Sequence, residues 1–310
     1  MKNMHFLFSL VELQQKCWKE IPLITILLKY FADTEIILTF ANKNQKITIF
    51  MRFKLTLQIQ PEVMGRELPI NYQYPLQGGI YHTLEKSDLQ FSTWLHENGY
   101  QMNGKRFKLF TFSNLIVPQY GIDKQRERLI VKSDLVTLYI TFLPERSTQQ
   151  FIQGLFQQQT FQIADHISGA QFMVREIQVM PPLDYQPNMV FKTLSAVCIS
   201  LRNERGHMDY LSPTDPRYEL GILQGLLDRY NTIHGHPFSG TPHCHLQLLS
   251  PPKSALIRIK AGTPNETRVR GYRYHFRLDL PEELMYIAYE SGLGEKGSMG
   301  FGMIEAQGKV

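Results

Sequence analysis

The stretch Gly292–Ile304 reads GLGEKGSMGFGMI and places five glycines within eleven residues. Its first six residues match G-x-G-x-x-G, the pattern of dinucleotide-binding loops. Such a loop must follow a strand and open a helix, because the helix N-terminus binds the pyrophosphate. Here the flanking sequence predicts the reverse order, a helix before the loop and a strand after it. The element order excludes a dinucleotide site, and the residue pattern excludes a Walker A loop.

The excess of glycine in this loop favours an approaching ligand. Glycine lets a backbone come close to a ligand and expose its amides, and concave arrays of amides bind anions. A tight helix-to-strand turn is the alternative, although one or two glycines would suffice for it. The candidate phosphate-binding residues of the loop are Gly292, Gly294, Lys296, Gly297, Ser298, Gly300 and Gly302.

Positive charge is concentrated just before this loop. The whole chain carries a net charge of +5, whereas residues 253–277 alone carry +6, from seven basic residues and Glu266. A local basic stripe is typical of a surface that binds a phosphate backbone, and a solvated strand face is the alternative. The candidate phosphate-binding residues of the stripe are Lys253, Arg258, Lys260, Arg268, Arg270 and Arg273.

Composition excludes several classes of protein. With 43% apolar residues the chain can bury a sizeable core, so it is not disordered. Its cysteines, Cys17, Cys198 and Cys244, are too few and too dispersed for a disulfide framework, which favours a reducing cytoplasm. The apolar run from Ile21 is too short to span a bilayer, and no cleavage site follows the apolar N-terminus. We expect neither a membrane segment nor a signal peptide.

Hydrophobic periodicity predicts the element order βαββαβ in the first part of the chain. An alternating strand, MRFKLTLQI, begins at Met51, and a helical region at 76–97 is split by a capping box at Ser87. A strand at 108–115 and a hairpin of 128–131 with 135–143 follow. A helix at 147–157 and one long strand region at 161–180 complete the unit.

The same order is predicted a second time. A strand at 191–201 precedes a helix capped by Asp215. The apolar face of this helix comprises Leu220, Leu223, Leu227 and Tyr230. We therefore predict an α+β fold of two tandem ferredoxin-like (RRM-like) domains with antiparallel sheets. The domains are residues 51–180 and 191–307, joined by a proline-rich linker at 181–190, and residues 1–50 lie outside the pattern.

The glycine-rich run GLGEKGSMGFGMIEA resembles the C-terminal signature of the CRISPR-associated repeat-cleaving endoribonucleases, in the repeat-associated RNA-binding superfamily. The runs MRFKLTLQIQ, ELPINYQYPLQGGIY, KRFKLFTFSNL and LLSPPKSALIRIKAGTPNETRVRGYRYHFRL resemble the same family, so the resemblance extends from Met51 to Ala306. The glycine signature is specific to the superfamily, and its combination with GGIYHTL and KLFTFS is specific to the nuclease. Because that family's chain usually starts at the MRFKL-type strand, we expect translation to start at Met51, with a functional extension as the alternative.

The resemblance implies a metal-independent endoribonuclease that needs no cofactor. It implies cleavage of CRISPR repeat RNA into guide RNAs, with 2′,3′-cyclic phosphate and 5′-hydroxyl ends. CRISPR repeat RNA is then the partner, and subunits of a CRISPR effector complex or a second copy in a homodimer stay open. The alternative function is a guide-RNA-binding subunit without catalytic activity, which would have no need of a catalytic set.

Metal-independent RNA cleavage needs deprotonation of the 2′-hydroxyl, protonation of the leaving 5′-oxygen and stabilisation of charge on phosphorus. The resemblance places a catalytic histidine on His96 in TWLHENGY, a tyrosine on Tyr81 and a lysine on Lys108. The segment between His96 and Lys108 looks longer than in members with a compact tyrosine-histidine-lysine set. Lys105 and Arg106 therefore compete with Lys108, and both are also predicted to bind RNA, together with the loop and the stripe.

Two further patterns favour structural roles. The run HGHPFSGTPHCH at 234–245 is rich in potential metal ligands, but no C-x-x-C or H-E-x-x-H pattern organises it. We predict no metal site there. In the strand after Gly271, Tyr272, Tyr274 and Phe276 share one face, which predicts an aromatic core face beneath a basic, wet face.

Overall fold

The computed structural model describes residues 52–102 and 104–308. The predicted extension at 1–50 and Met51 lie outside this part. The helices are α1 (Pro61–Met64), α2 (Gln73–Ser87), α3 (Leu89–Glu97), α4 (Glu145–Gln157), α5 (Tyr218–His234) and α6 (Glu282–Ser291). The strands up to residue 180, the first half, are β1 (Arg52–Ile59), β2 (Glu67–Pro69), β3 (Tyr100–Met102), β4 (Lys105–Phe107), β5 (Phe110–Phe112), β6 (Tyr120–Asp123), β7 (Arg128–Val131), β8 (Leu135–Phe142), β9 (Thr160–Ala164) and β10 (Gly169–Val179).

The second half begins at residue 181. Its strands are β11 (Asn188–Thr193), β12 (Ser200–Arg202), β13 (Met208–Tyr210), β14 (His245–Leu248), β15 (Lys253–Ile259), β16 (Thr267–Arg273), β17 (His275–Asp279) and β18 (Ile304–Ala306). A 3₁₀ turn at Gly297–Met299 interrupts the glycine-rich loop.

The main sheet of the first half has the order β5-β8-β1-β10-β9, with antiparallel neighbours throughout. Its central strand β1 buries Phe53, Leu55, Leu57 and Ile59, so the predicted alternation is confirmed. Helix α2 packs on α4 and on β9, and a glycine makes each approach close. A Cβ on Gly154 of α4 would lie 1.8 Å from the carbonyl oxygen of Thr83.

The main sheet of the second half has the order β14-β17-β11-β18, again antiparallel. In both halves the first strand of the unit lies between the third and the fourth, and the second strand pairs with the third. Phe191 of β11 and Phe276 of β17 are fully buried in the core beneath α5 and α6. Tyr274 is buried too, so the predicted aromatic core face of this segment is confirmed.

Several predicted strands differ from those observed. The predicted hairpin of 128–131 with 135–143 does not form, because β7 pairs with β6 and β2 while β8 pairs with β1 and β5. The long strand predicted at 161–180 is a hairpin, β9 and β10, turning at Asp165–Ser168. The segment 268–278 is broken at Tyr274, so β16 and β17 belong to different sheets.

The predicted helix caps were wrong, whereas the predicted face of α5 is confirmed at Leu223, Leu227 and Tyr230, which pack on the core, and wrong at Leu220. Asp88, not Ser87, caps α3 by accepting a 2.9 Å hydrogen bond from the amide of Phe91. Helix α5 starts at Tyr218, because the Asp215 carboxylate binds Arg217 within a preceding turn. Its buried residues are Tyr218, Ile222, Leu226, Arg229 and Tyr230, whereas Leu220 is 67% exposed. Within the described residues, no helix is long and apolar enough to cross a membrane.

Buried polar contacts join the two halves. The guanidinium of Arg52 on β1 donates to the carbonyl oxygens of Tyr289, at 3.2 Å, and of Ile304. Thr111 on β5 donates a 2.8 Å hydrogen bond to the carbonyl oxygen of Phe301. Thr141 on β8 donates to the carboxylate of Glu290 at 2.6 Å. The N-terminal sheet is therefore fastened to α6 and to the end of the glycine-rich loop.

Candidate active site

A cleft of about 600 Å³ between the halves contains two of the three predicted catalytic residues. Tyr81 on α2 and His96 at the end of α3 both line this cleft, which we call the tyrosine-histidine cleft. Their rings meet edge to face, with centroids 5.0 Å apart and planes at 87°. The Ser92 hydroxyl donates a 3.1 Å hydrogen bond to the Tyr81 carbonyl oxygen and so fixes α3 against α2.

The two rings differ in exposure. The Tyr81 ring also packs edge-on against Phe110, and the residue is only 9% exposed, whereas His96 is exposed to solvent. Burial raises the pKa of the Tyr81 phenol well above its ordinary value. A raised pKa favours the protonated phenol, which can donate a hydrogen bond. His96 is the group of this pair that can transfer protons near neutral pH.

Lys108 joins this pair through the backbone. Its ammonium donates to the carbonyl oxygens of Leu95 and His96, the latter at 2.6 Å, in the last turn of α3. Burial, and secondarily the nearby Arg106 guanidinium, lower the pKa of Lys108. Lys108 lines a different cleft from His96. Its ammonium therefore contacts the backbone of His96 and lies outside the tyrosine-histidine cleft.

This second cleft, the lysine cleft, has a volume of about 540 Å³. Several predicted RNA-binding residues line it together with Lys108. They are Lys105, Arg106, Gly294, Lys296, Gly297 and Ser298. Lys105 is paired there with Asp228 of α5, which neutralises part of the charge. The structure thus divides the predicted site between two clefts separated by the Lys108–His96 contact.

The glycines of the loop are required by packing within the protein itself. Gly292, Gly294, Gly300 and Gly302 have φ between +80° and +94°, a region that strains other residues. A Cβ at Gly302 would lie 2.2 Å from the Leu293 carbonyl oxygen. Gly300 abuts the Phe112 ring and Gly297 the Phe110 carbonyl oxygen, both of β5. The glycines therefore let the loop fit tightly against β5, and their predicted contact with RNA stays a prediction.

The basic stripe forms a hairpin of β15 and β16. Lys253 lies opposite Arg273, and Arg258 lies opposite Arg268, and such like-charged pairs are unfavourable without a counter-charge. Glu266 supplies part of this counter-charge by pairing with Arg258 and Arg268, and Glu127 of the first half also pairs with Arg258. Arg270 is exposed and unpaired by any acid among the described residues. The inner face packs Ile257 and Val269 against Phe301.

The turn of this hairpin reaches the tyrosine-histidine cleft. Lys260 lines that cleft with a left-handed backbone, φ +53°, and its neighbours Ala261, Thr263 and Asn265 line it as well. The backbone amide of Arg258 donates a 3.0 Å hydrogen bond to the side-chain oxygen of Asn71, another lining residue. The hairpin therefore contributes Lys260 to the wall of the cleft, and its strands carry the exposed Arg268 and Arg270 on one face.

Sequence reasoning missed two residues at these clefts. His166 lines the tyrosine-histidine cleft from the β9–β10 turn, which the prediction of one long strand concealed. A strand of twenty residues far exceeds the usual length, and Asp165 and Gly169 are of types that favour turns. The sequence therefore did indicate a turn at this position. Arg229 is buried beside the lysine cleft and donates to Gly292 and to the Ser291 hydroxyl. Burial lowers its pKa to about 10.

The histidine-rich run is not organised as a metal site. His243 lies 3.4 Å from the Asp279 carboxylate, and His245 lies 3.2 Å from that of Glu219. His234 packs on Tyr230, with ring centroids 4.2 Å apart. Across residues 52–102 and 104–308, no three His, Cys, Asp or Glu side chains are grouped so that they could hold a metal ion.

Comparison with known proteins places the chain in a family. A model of CRISPR-associated protein Cas6, N-terminal, matches residues 67–178, and one of CRISPR associated protein Cas6, C-terminal, matches residues 180–306. The chain is 25% identical over 264 residues to the CRISPR-associated endoribonuclease Cas6 of Pyrococcus furiosus, covering 83% of this chain and 90% of the relative. It is 26% identical to CRISPR-associated endoribonuclease Cas6 1 of Methanocaldococcus jannaschii, covering 82% and 92%.

A solved structure shares the fold. The structure of a Cas6-related gene product from Pyrococcus furiosus superposes with a TM-score of 0.69 at 22% identity, covering 84% of this chain and 99% of that one. The resemblance that the glycine-rich run and the N-terminal motifs predicted is therefore confirmed. Because the two family models together account for most of residues 67–306, this chain belongs to the Cas6 family of CRISPR-associated proteins.

Proposed function

We propose that this protein is an endoribonuclease that cuts CRISPR repeat RNA into guide RNAs. The observation that carries the proposal is the edge-to-face pair of Tyr81 and the exposed His96, in a cleft that Lys260 of the basic hairpin also lines. Two curated relatives, each matched over more than four fifths of this chain, are named CRISPR-associated endoribonucleases. A surface that only held RNA would not need a paired phenol and imidazole at the mouth of a cleft.

The proposed reaction is attack by the ribose 2′-oxygen on the adjacent phosphorus. His96 takes the proton from the 2′-hydroxyl or gives one to the leaving 5′-oxygen, and the P–O5′ bond breaks as the 2′-O–P bond forms. The products are a 2′,3′-cyclic phosphate and a 5′-hydroxyl. Tyr81 remains protonated and supports the His96 ring edge to face, and Lys108 holds the backbone of His96 in place. No step of this reaction requires a metal ion or a cofactor.

The fold supports a path for the RNA across both halves. The matching strand orders of the two main sheets favour two ferredoxin-like domains, residues 51–180 and 191–307, joined at 181–190. The scissile phosphate would lie in the tyrosine-histidine cleft, beside Lys260. The RNA on one side of the scissile phosphate would follow the exposed cations of β15 and β16. The RNA on the other side would enter the lysine cleft, where Lys105, Arg106 and Lys296 lie with the loop backbone.

The test is cleavage of repeat RNA from the host's own CRISPR array by the purified chain in excess EDTA. We expect one cut, a cyclic-phosphate end, and a loss of about 10² to 10⁴-fold in rate in His96→Ala. His207→Ala is the matched control, because His207 is exposed in the β12–β13 turn and lines neither cleft. Tight binding without cutting would instead identify a guide-RNA-binding subunit.

A further inference from the structure

The tyrosine-histidine cleft contains a second imidazole. Among its lining residues the titratable side chains are Tyr74, Tyr81, His96, Asp165, His166 and Lys260. Cleavage by a 2′-hydroxyl moves two protons, one to a base and one from an acid. The phenol of Tyr81 lines the cleft but is largely buried, and the cleft offers another, more exposed group for the second proton transfer. His166 is exposed and is the other histidine among those lining residues.

The β9–β10 turn fixes the position of His166. The Asp165 carboxylate accepts 2.9 Å hydrogen bonds from the amides of Ile167 and Ser168, and its own amide donates to the Ser168 carbonyl oxygen. The same carboxylate lies 3.0 Å from the guanidinium of Arg128, whose side chain is 5% exposed. An ion pair with the buried Arg128 thus anchors the residue that precedes His166.

Helix packing places this turn beside Tyr81. Gly79 lets α2 lie directly on β9, since a Cβ there would be 3.0 Å from the Gln162 carbonyl oxygen. Its neighbour Gly78 lines the cleft, and a Cβ at Gly78 would meet no atom within 4 Å. The close approach therefore brings the end of β9 to the helix that carries Tyr81, with open space between them.

The second half completes the wall around His166. A Cβ at Gly262, in the β15–β16 turn, would lie 3.8 Å from Cε1 of His166. Lys260 of the same turn lines the cleft, and Glu266 holds the turn by accepting a 3.0 Å hydrogen bond from the Gly262 amide. RNA that leaves the basic hairpin for the cleft would pass His166 before it reaches His96.

We infer that His166 is the second proton-transfer residue of the cleft, working with His96 on the two oxygens of the scissile phosphate. This inference rests on the proposed nuclease function. One imidazole accepts the 2′-hydroxyl proton as the 2′-oxygen bonds to phosphorus. The other gives its proton to the 5′-oxygen as the P–O5′ bond breaks. Both histidines return to their starting states by exchange with water.

The test compares His166→Ala and His166→Asn with wild type and His207→Ala in single-turnover cleavage at saturating protein. We expect both His166 variants to keep the wild-type melting temperature, since the side chain is exposed, and to lose about 10²-fold or more in rate. The cleavage rate of wild type should rise and then fall with pH. In each His166 variant either the rising or the falling part of this pH–rate profile should be missing. The groups facing His166 are Tyr74, Tyr81, His96, Asp165 and Lys260, with Arg128 and Glu266 behind them.

A substrate with sulfur in place of the bridging 5′-oxygen separates the two roles, because a thiolate departs without protonation. Rescue of the histidine variant at one position, 166 or 96, and not at the other would support the division and identify the acid. The inference is overturned if His166→Ala cleaves at a rate within about threefold of wild type, or if only the protein concentration at half-maximal rate changes. It is also overturned if the sulfur-containing substrate rescues neither the His166 variant nor the His96 variant. Failure of wild type to cut at all would overturn the nuclease function itself.

Discussion

The ammonium of Lys108 donates a 2.6 Å hydrogen bond to the backbone carbonyl oxygen of His96. A cation at the end of α3 satisfies carbonyls that the helix leaves unpaired and interacts favourably with its dipole. Gly99 leaves room for this contact, because a Cβ there would lie 3.2 Å from the Lys108 ammonium. We therefore infer that Lys108, predicted as a catalytic lysine, positions the histidine.

This arrangement predicts that Lys108→Met lowers stability as well as activity. The substitution keeps an apolar stem of similar length and removes the charged hydrogen bonds, which are worth about 1.5–3 kcal/mol. We expect a lower urea midpoint together with at least about tenfold slower cleavage, since a displaced catalytic group typically costs that much. Loss of cleavage with an unchanged midpoint would show instead that Lys108 acts on the phosphate alone.

Neighbouring glycines of α2 should respond in opposite directions to alanine. Gly78→Ala should stabilise the protein by about 0.5–1 kcal/mol, because alanine favours helix and its Cβ meets open space. Gly79→Ala should lie about 1–3 kcal/mol below it, because its Cβ would press on the Gln162 carbonyl and the Phe161 ring. Thermal and urea unfolding measure the difference. Equal stabilisation by both would mean that α2 does not rest on β9.

The glycine-rich loop should be intolerant of side chains for reasons of packing. Gly302 and Gly235 share a left-handed backbone, φ +80° and +73°, but only Gly302 faces an obstructing carbonyl. Gly235→Ala should cost about 1–2 kcal/mol, the price of the conformation alone. Gly302→Ala should cost at least about 3 kcal/mol or prevent folding, in the absence of any RNA. Similar urea midpoints for the two would refute the packing account.

The ion pair behind His166 predicts a dependence of stability on pH. Partial burial would raise the pKa of Asp165, but hydrogen bonds from Ser168 and Ile167 and the Arg128 guanidinium hold it below the ordinary 3.8. A carboxyl with a depressed folded pKa stabilises above its unfolded pKa and loses that stabilisation as pH falls through the folded value.

Asp165→Asn should therefore lower the free energy of unfolding by at least about 1 kcal/mol at pH 7. The gap to wild type should close as pH falls below about 4, because wild type loses its carboxylate there. Asp134→Asn is the control: its 2.8 Å pair with Arg66 is largely exposed and worth little. A gap that did not narrow as pH fell through the folded pKa of Asp165 would remove the ion pair as its cause.

Local patterns predicted the fold well where burial is regular. The alternation of β1 and the aromatic face at Tyr274 and Phe276 follow directly from one buried face per strand. On α5 the predicted face was wrong only at Leu220, because a repeat of leucines does not show where an apolar face ends near the helix start. Tyr218 takes the buried position at that end, and its hydroxyl lies 2.9 Å from that of Tyr274.

The site was predictable in its residues but not in their arrangement. Motif resemblance identified Tyr81 and His96, and the structure brings them together. The role of Lys108 depends on a backbone carbonyl twelve residues away, which no pattern of side chains encodes. The packing role of the glycines could not be predicted, because the neighbours they approach, Phe110 and Phe112 of β5, lie nearly 200 residues earlier in the chain.

The contact of Arg52 has a consequence for how the chain is made. Arg52 stands at the start of β1 and is 4% exposed, and its cation rests on the Tyr289 ring, 3.9 Å from the centroid, and on carbonyls of Tyr289 and Ile304. These partners are synthesised more than 230 residues later. Until Ile304 has been synthesised, the Arg52 guanidinium lacks the hydrogen-bond partners that it has in the folded protein. The final contact between the two halves therefore cannot form before the last strand has been made.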